Sequence, residues 1–174
     1  NYFPHVASEH KAAREAVAVF DQTPFSKFLI QGRDALRALE WICANRIDKP
    51  IGSLTYTQMC NKKGGIECDL TVARIGEEEF YVVTGTAFAL HDMAWIRKNL
   101  PMDAHVCVAD VTSSRAVLNV CGPRSRELLQ KVVRENMAEG AFPFMSCREI
   151  HVGCAPALAL RVTYIGELGW ELHI

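Results

Sequence analysis

Along residues 9–20, Glu-His-Lys-Ala-Ala-Arg-Glu-Ala-Val-Ala-Val-Phe, apolar positions recur at helical spacing. Ala13, Val17 and Phe20 share one face, and Ser8 stands where an N-cap belongs. Residues 21–24 break the pattern, and 25–30 read as a strand closed by Gln31 and Gly32. A second helix is predicted over 33–44, with Leu36, Leu39 and Cys43 inward. A loop over 45–52 leads to two β-rich runs, 54–60 and 66–72. Residues 80–84, Phe-Tyr-Val-Val-Thr, are nearly continuous in apolar character, as in a strand covered on both faces. A third helix is predicted over 88–100, with Phe88, Trp95 and Ile96 inward and Pro101 preventing its continuation. Strands follow at 106–108 and 116–120. Gly122-Pro123 opens a fourth helix running to Asn136, with Leu128, Leu129, Val132 and Val133 buried. Two further strands span 148–152 and 158–164. In the second, Leu158, Leu160, Val162 and Tyr164 alternate against Ala159, Arg161 and Thr163. A turn at 165–169 returns the chain to a strand that reads as cut in its middle at Ile174, so a piece of a longer protein is expected.

Helices and strands interleave, yet hairpins dominate and no βαβ run is visible. The predicted class is therefore α+β, with antiparallel sheets and packed helices. The expected subdomains are 1–52 plus 142–174, and 53–141. No internal repeat is apparent.

Between the two β-rich runs, Asn61-Lys62-Lys63-Gly64-Gly65 has the composition of a tight turn, since Asn and Gly tolerate positive φ. Residues 54–72 thus read as a hairpin. Asp69 falls inside its second strand, between Cys68 and Leu70, where aspartate is disfavoured and costly to bury as a charge. A carboxylate held against local propensity marks a place for chemistry; an edge-facing, solvated Asp is the structural alternative.

With 49% apolar and 22% charged residues in 174, the composition is that of a globular domain with room for a core. The formal net charge of −1 removes the electrostatic case for nucleic-acid binding. No apolar run reaches the ~18 residues of a membrane helix. The seven cysteines are scattered without a Cys-x-x-Cys pair, so inert thiols in a reducing compartment are expected and no metal site is read. A Gly-x-Gly-x-x-Gly fingerprint is absent, so the chain shows no dinucleotide site of its own.

A second informative stretch is Tyr164-Ile165-Gly166-Glu167-Leu168-Gly169-Trp170-Glu171. Its glycines permit a tight bend and close approach of backbone to a ligand. A glutamate there can accept two hydrogen bonds from a flat N–H edge such as the amidine of a pterin. A solvated surface turn is the alternative.

Tyr-Thr-x-Met-x-Asn-x-x-Gly-Gly-x-x-x-Asp-Leu-Thr-Val resembles the hairpin of the aminomethyltransferase family. That family includes the glycine-cleavage T-protein and the folate-binding C-terminal halves of sarcosine and dimethylglycine dehydrogenases. Tyr-x-Gly-Glu-x-Gly-x-Glu is similar to its pterin motif. The Glu9-His10-x-x-x-Arg14 helix, Phe20-Asp21, residues 25–28, Gly122-Pro123 and residues 142–144 resemble the dehydrogenase branch, so the likeness covers essentially the whole chain. It implies a T-protein-like fold whose closing β-barrel lies beyond Ile174. It implies a tetrahydrofolate-binding domain that captures a one-carbon unit as 5,10-methylenetetrahydrofolate. FAD would sit in an N-terminal domain outside this chain. Asp69 would be the catalytic group, orienting or deprotonating a folate nitrogen, while Glu167, Tyr81 and Tyr164 would bind folate. The implied partners are folate, the flavin domain and the barrel of the same polypeptide, with neither nucleic acid nor membrane. The implied compartment is the bacterial cytoplasm or the mitochondrial matrix. Cys68 stands where the T-protein has a further aspartate, and Thr84-Gly85 where it has Ser-Asn, so one polar folate contact is missing. A stand-alone aminomethyltransferase is one alternative. The other is a non-catalytic homologue such as the regulatory subunit of pyruvate dehydrogenase phosphatase.

Overall fold

The computed structural model describes all residues, 1–174. In chain order the elements are α1 (Phe3–Glu15), β1 (Ala18–Asp21), β2 (Ser26–Gln31), α2 (Ala35–Ile42), β3 (Leu54–Cys60), β4 (Ile66–Arg74) and β5 (Glu79–Thr84). Then come α3 (Ala89–Asn99), β6 (Cys107–Asp110), β7 (Val117–Cys121), α4 (Ser125–Val132), β8 (Cys147–Val152), β9 (Ala155–Leu160) and β10 (Gly169–His173). The strands form two open five-stranded sheets, in which every pairing is antiparallel. The fold is mixed α and β with antiparallel sheets, as the pattern predicts.

Two compact units result. One is discontinuous, Asn1–Thr23 with Arg115–Ile174; the other is Pro24–Ser114. These bounds differ from those drawn on the sequence, and strand pairing is the reason. β2 lies between β5 and β6, which draws residues 24–52 into the unit of the central hairpin. β7 lies between β1 and β10, which draws residues 115–141 into the other.

In the continuous unit the sheet order is β3-β4-β5-β2-β6. One sheet face carries Phe28, Ile30, Leu70, Val72, Phe80 and Val82, packed with Leu39 and Ile42 of α2 and Met93 and Ile96 of α3. Alternation along each strand fixes which residues turn the other way. In the discontinuous unit the order is β1-β7-β10-β9-β8, around a core of Trp170, Phe142, Leu129, Met137, Ile150 and Leu172.

Several sequence expectations are corrected. The first helix starts at Phe3 with Pro4 in its opening turn, so Ser8 is internal and no cap. It ends at Glu15, and Ala18–Asp21 form a strand paired with β7. Val19 and Phe20 suit a ladder, and the tertiary pairing overrides the helical spacing. Phe88 is exposed. The fourth helix stops at Val132, leaving Leu128 and Val132 partly in solvent while Leu129 and Val133 are buried. Residues 157–161 are all buried, so β9 is covered on both faces and its expected alternation disappears. Tyr164 lies in the turn, exposed.

Candidate functional site

The hairpin turn explains its own signature. The Asn61 side-chain oxygen accepts the backbone N–H of Lys63 (2.9 Å) and of Gly65 (3.0 Å). Its amide nitrogen donates to Glu67 Oε1 at 2.8 Å. Gly64 has φ +81°, and a Cβ on Gly65 would stand 2.9 Å from the Asn61 amide nitrogen. Asn-x-x-Gly-Gly is thus a turn that locks the register of β4.

That register decides how β4 presents Asp69. Cys68, Leu70 and Val72 are buried on the core side of β4, so Asp69 and Thr71 face away from it, while Glu67, at the bulge opposite Met59 and Cys60, lies within reach of His91. Asp69 is exposed, and Gln58, opposite it in register, donates to Oδ1 at 2.8 Å. Its carboxylate therefore carries no burial cost, although β4 lies inside the sheet between β3 and β5. Tyr81 pairs with Ala73 and is 2% exposed. It faces the same side as Asp69, since Ala73 lies four residues further along β4. That spacing is roughly 13 Å along the strand.

Glu167 and Tyr164 belong to the other unit. Gly166 turns the chain with φ +78°. Gly169, opposite Cys121, leaves no room for a side chain, since a Cβ would meet the Val120 carbonyl oxygen at 2.4 Å. Between them the Glu167 carboxylate accepts from the Arg14 guanidinium at 2.5 Å. Thr163 Oγ1 donates to the Glu167 backbone carbonyl at 2.6 Å. Glu167 is largely covered, Arg14 largely exposed. Tyr164 projects into solvent. Asp69 with Tyr81, and Glu167 with Tyr164, are thus two separate placements, one in each unit.

Sequence spacing missed a third group. Cys68 Sγ, a His91 ring nitrogen and an Asp92 carboxylate oxygen all lie within 4.8 Å of one another. Thr84 Oγ1 donates to Asp92 Oδ2 at 2.6 Å, and His91 Nδ1 lies 2.9 Å from Asp92 Oδ1. Burial, and then the Asp92 carboxylate, push the Cys68 thiol far above its usual range. The hydrogen bond to Asp92 raises the His91 pKa. The only signal in the sequence was Asp92 itself, an acid among inward-facing helix positions; its partners on β4 and β5 needed the fold.

Two open antiparallel sheets with packed helices, and an exposed carboxylate on a central strand, define a mixed α and β domain. The chain belongs to the family described as the GCVT N-terminal domain, whose model matches residues 1–174. It is similar to human mitochondrial dimethylglycine dehydrogenase, 37% identical over 174 residues that make up 99% of this chain and 20% of that protein. It is similar to the mouse mitochondrial pyruvate dehydrogenase phosphatase regulatory subunit, 36% identical over 177 residues, or 100% of this chain and 20% of that one. The crystal structure of the glycine cleavage system aminomethyltransferase T from Bartonella henselae matches with a TM-score of 0.84 at 24% identity, covering 97% of this chain and 45% of that one. The chain therefore spans about a fifth of the length of the two curated relatives. No helix is long and apolar enough to cross a membrane.

Proposed function

We propose that the chain is the tetrahydrofolate-binding domain of a flavin-dependent N-methyl amine dehydrogenase of the dimethylglycine or sarcosine type, in which it captures the released one-carbon unit as 5,10-methylenetetrahydrofolate. The single observation that carries this is the presentation of Asp69. Its side chain is exposed on the side of β4 turned from the core, with one oxygen steadied by Gln58, next to a turn that Asn61, Gly64 and Gly65 fix. A carboxylate so held can orient or deprotonate a folate nitrogen and raise its nucleophilicity towards an iminium or formaldehyde carbon. Tyr81, buried on the same side of the sheet roughly 13 Å along the strand, is assigned to folate binding on the family likeness alone.

Glu167 supplies the pterin grip. The planar N–H edge of Arg14 now occupies it, which is the chemistry an amidine edge offers. Arg14 is itself largely exposed, so it can swing into solvent when a ligand edge takes its place on Glu167. Tyr164, exposed in the same turn, is the further folate contact that the family likeness implies. FAD belongs to a domain outside this chain, where it oxidises the amine.

Asp69→Asn keeps the shape and removes the basicity. In the full-length polypeptide it should leave amine oxidation intact, release free formaldehyde and slow formation of methylenetetrahydrofolate by roughly 10²- to 10⁴-fold. Transfer at the wild-type rate would remove Asp69 from the chemistry. Glu167→Gln should weaken folate binding about ten- to a hundredfold by calorimetry, the equivalent of ~1.5–3 kcal/mol; equal affinities would exclude the grip. The similarity to a phosphatase regulatory subunit favours one other reading. It is separated at the outset, because a regulator makes no folate-dependent product even as wild type.

A further inference from the structure

We propose that Cys68, His91 and Asp92 form a binding site for a divalent metal ion of the zinc class, built where α3 packs on β4 and β5. The donor set is one thiolate sulfur, one imidazole nitrogen and one carboxylate oxygen, the ligand types zinc prefers, with a fourth position left for water. All three donor atoms fall within 4.8 Å of one another. Bond lengths of about 2.0–2.3 Å in a tetrahedral site put neighbouring ligand atoms about 3.3–3.5 Å apart. His91 Nδ1 and Asp92 Oδ1 now stand at 2.9 Å, so that pair needs to open by only a few tenths of an ångström, and Cys68 Sγ, within 4.8 Å of both, needs to close by at most about 1.3 Å.

The surroundings are those of a metal site and not of a chance cluster. A ligating histidine commonly donates its other ring N–H to a carboxylate, and ligating carboxylates are themselves hydrogen-bonded. Here His91 Nε2 lies 3.4 Å from Glu67 Oε2. Glu67 is in turn held by the Asn61 amide at 2.8 Å, and the second oxygen of Asp92 by Thr84 at 2.6 Å. The Asp92 side chain is 1% exposed and Cys68 is equally buried, while the His91 side chain is 49% exposed. The ion therefore has an entry path on one side and a dry floor on the other.

Charge balance supports a dication. Asp92 lies in the first turn of α3, whose positive end opposes a cation by about half a charge. Two anionic ligands in direct contact with the ion, with Glu67 behind them, outweigh that. Without metal, protons close the same cluster: the hydroxyl of Thr84 and the ring of His91 satisfy the buried carboxylate. The ion replaces the thiol proton and the Nδ1 proton and leaves Nε2–H on Glu67. Because Cys68 precedes Asp69 on β4, the bound ion would pin that strand to α3 directly behind the exposed carboxylate. The site itself depends on no folate chemistry.

The test is a Co²⁺ titration of the purified chain followed by absorption. The wild type should develop a thiolate-to-cobalt charge-transfer band with tetrahedral d–d bands, and Zn²⁺ should displace them. The band should vanish in Cys68→Ser. His91→Gln, at an exposed position that leaves the fold alone, should weaken cobalt binding tenfold or more. A variant with Cys60, Cys107 and Cys154, the exposed thiols, replaced by serine should keep the band. Absence of a thiolate band in the wild type would overturn the proposal. So would its survival in Cys68→Ser, its loss in the triple serine variant, or wild-type affinity in His91→Gln.

Discussion

Ninety residues apart, the two units make the same turn. In one, β2 ends at Gln31, Gly32 bends the chain, and three residues later the eight-residue α2 begins. In the other, β7 ends at Cys121, Gly122 bends the chain, and the eight-residue α4 begins after the same interval. Gly32 has φ +139° and Gly122 φ +123°. In each, the first helical N–H returns to the glycine carbonyl, Ala35 to Gly32 at 2.8 Å and Ser125 to Gly122 at 3.0 Å. The fifth helical residue is a buried leucine, Leu39 or Leu129. The sixth, Glu40 or Gln130, accepts the backbone N–H of the residue seven further on, Ile47 at 2.5 Å or Met137 at 3.0 Å, and both of those are buried.

The difference lies in what each helix covers. α2 buries its first, fourth, fifth and eighth residues; α4 buries only its first and fifth. The continuous unit packs apolar helix residues, Leu39, Ile42, Met93 and Ile96, on a sheet face that includes Phe28 and Phe80. The discontinuous unit instead sets Trp170 against two guanidiniums, Arg126 and Arg161, each with its carbon 5.4 Å from the ring centroid. Both arginines pair with Glu139, and Arg161 first among them holds that carboxyl below its usual range. One backbone device therefore serves two kinds of core. The backbone requirement is shared, and the side-chain requirement is not.

The shared glycine gives the largest expected effect. A Cβ on Gly32 would stand 2.2 Å from the His105 carbonyl oxygen; on Gly122, 2.5 Å from that of Ala16. Neither backbone contact yields cheaply, and the φ is strained for any L side chain. Gly32→Ala and Gly122→Ala should each cost about 3 kcal/mol or more, with Gly32→Ala the worse. Urea unfolding, read through core-amide hydrogen exchange in each unit, checks this. A loss under ~1 kcal/mol at either site would show that the turns only look alike.

The eighth helical position separates the two units. Ile42 is 6% exposed and packs in the continuous unit's core, whereas Val132 is 45% exposed. Ile42→Ala should cost about 2–5 kcal/mol, and Val132→Ala about 0.5 kcal/mol or less. Comparable losses from the same measurement would mean that α4 is loaded like α2 after all.

This likeness was not legible in the sequence, because few identities survive between the two copies. Glycine and leucine recur, while Glu40 against Gln130 and Ile47 against Met137 preserve geometry and not residue type. Legible was whatever is enforced locally: the Asn61 turn, the strand character of 54–72, the stop at Pro101. β1 was hidden because Ala13, Val17 and Phe20 satisfy helical spacing, and only pairing with β7 decides for a strand. Asp69 could be singled out because its chemistry argues against its position in a strand. Its exposure could not, because that depends on which face of the sheet α2 and α3 cover. Cys68, His91 and Asp92 meet through packing alone.

The smallest effect concerns how each unit secures the chain beyond its helix. At the matching step, 13 residues past the glycine, the continuous unit uses a neutral amide, Asn45 donating to the Tyr56 carbonyl at 2.8 Å, and the discontinuous unit uses a carboxylate. Glu135 accepts the His151 backbone N–H on both oxygens, at 3.1 and 3.2 Å, and the His151 ring lies 3.1 Å from Oε1. The hydrogen bond to the His151 ring, followed by the backbone bond, pulls the Glu135 pKa from 4.5 down to about 2. A lowered carboxyl favours the charged form in the fold. The contribution is therefore fully present above about pH 4.5 and is lost as the pH falls towards 2. Glu135→Gln keeps an acceptor for the backbone N–H but does not titrate. Between pH 6 and 5 the wild type should melt higher than the variant, and the gap should close as the pH drops from 4.5 towards 2. The Trp170 signal, which reports the discontinuous unit, should track this loss more closely than Trp41 and Trp95 do. A gap constant with pH would mean that His151 is held by the backbone bonds alone, with no contribution from the charge on Glu135.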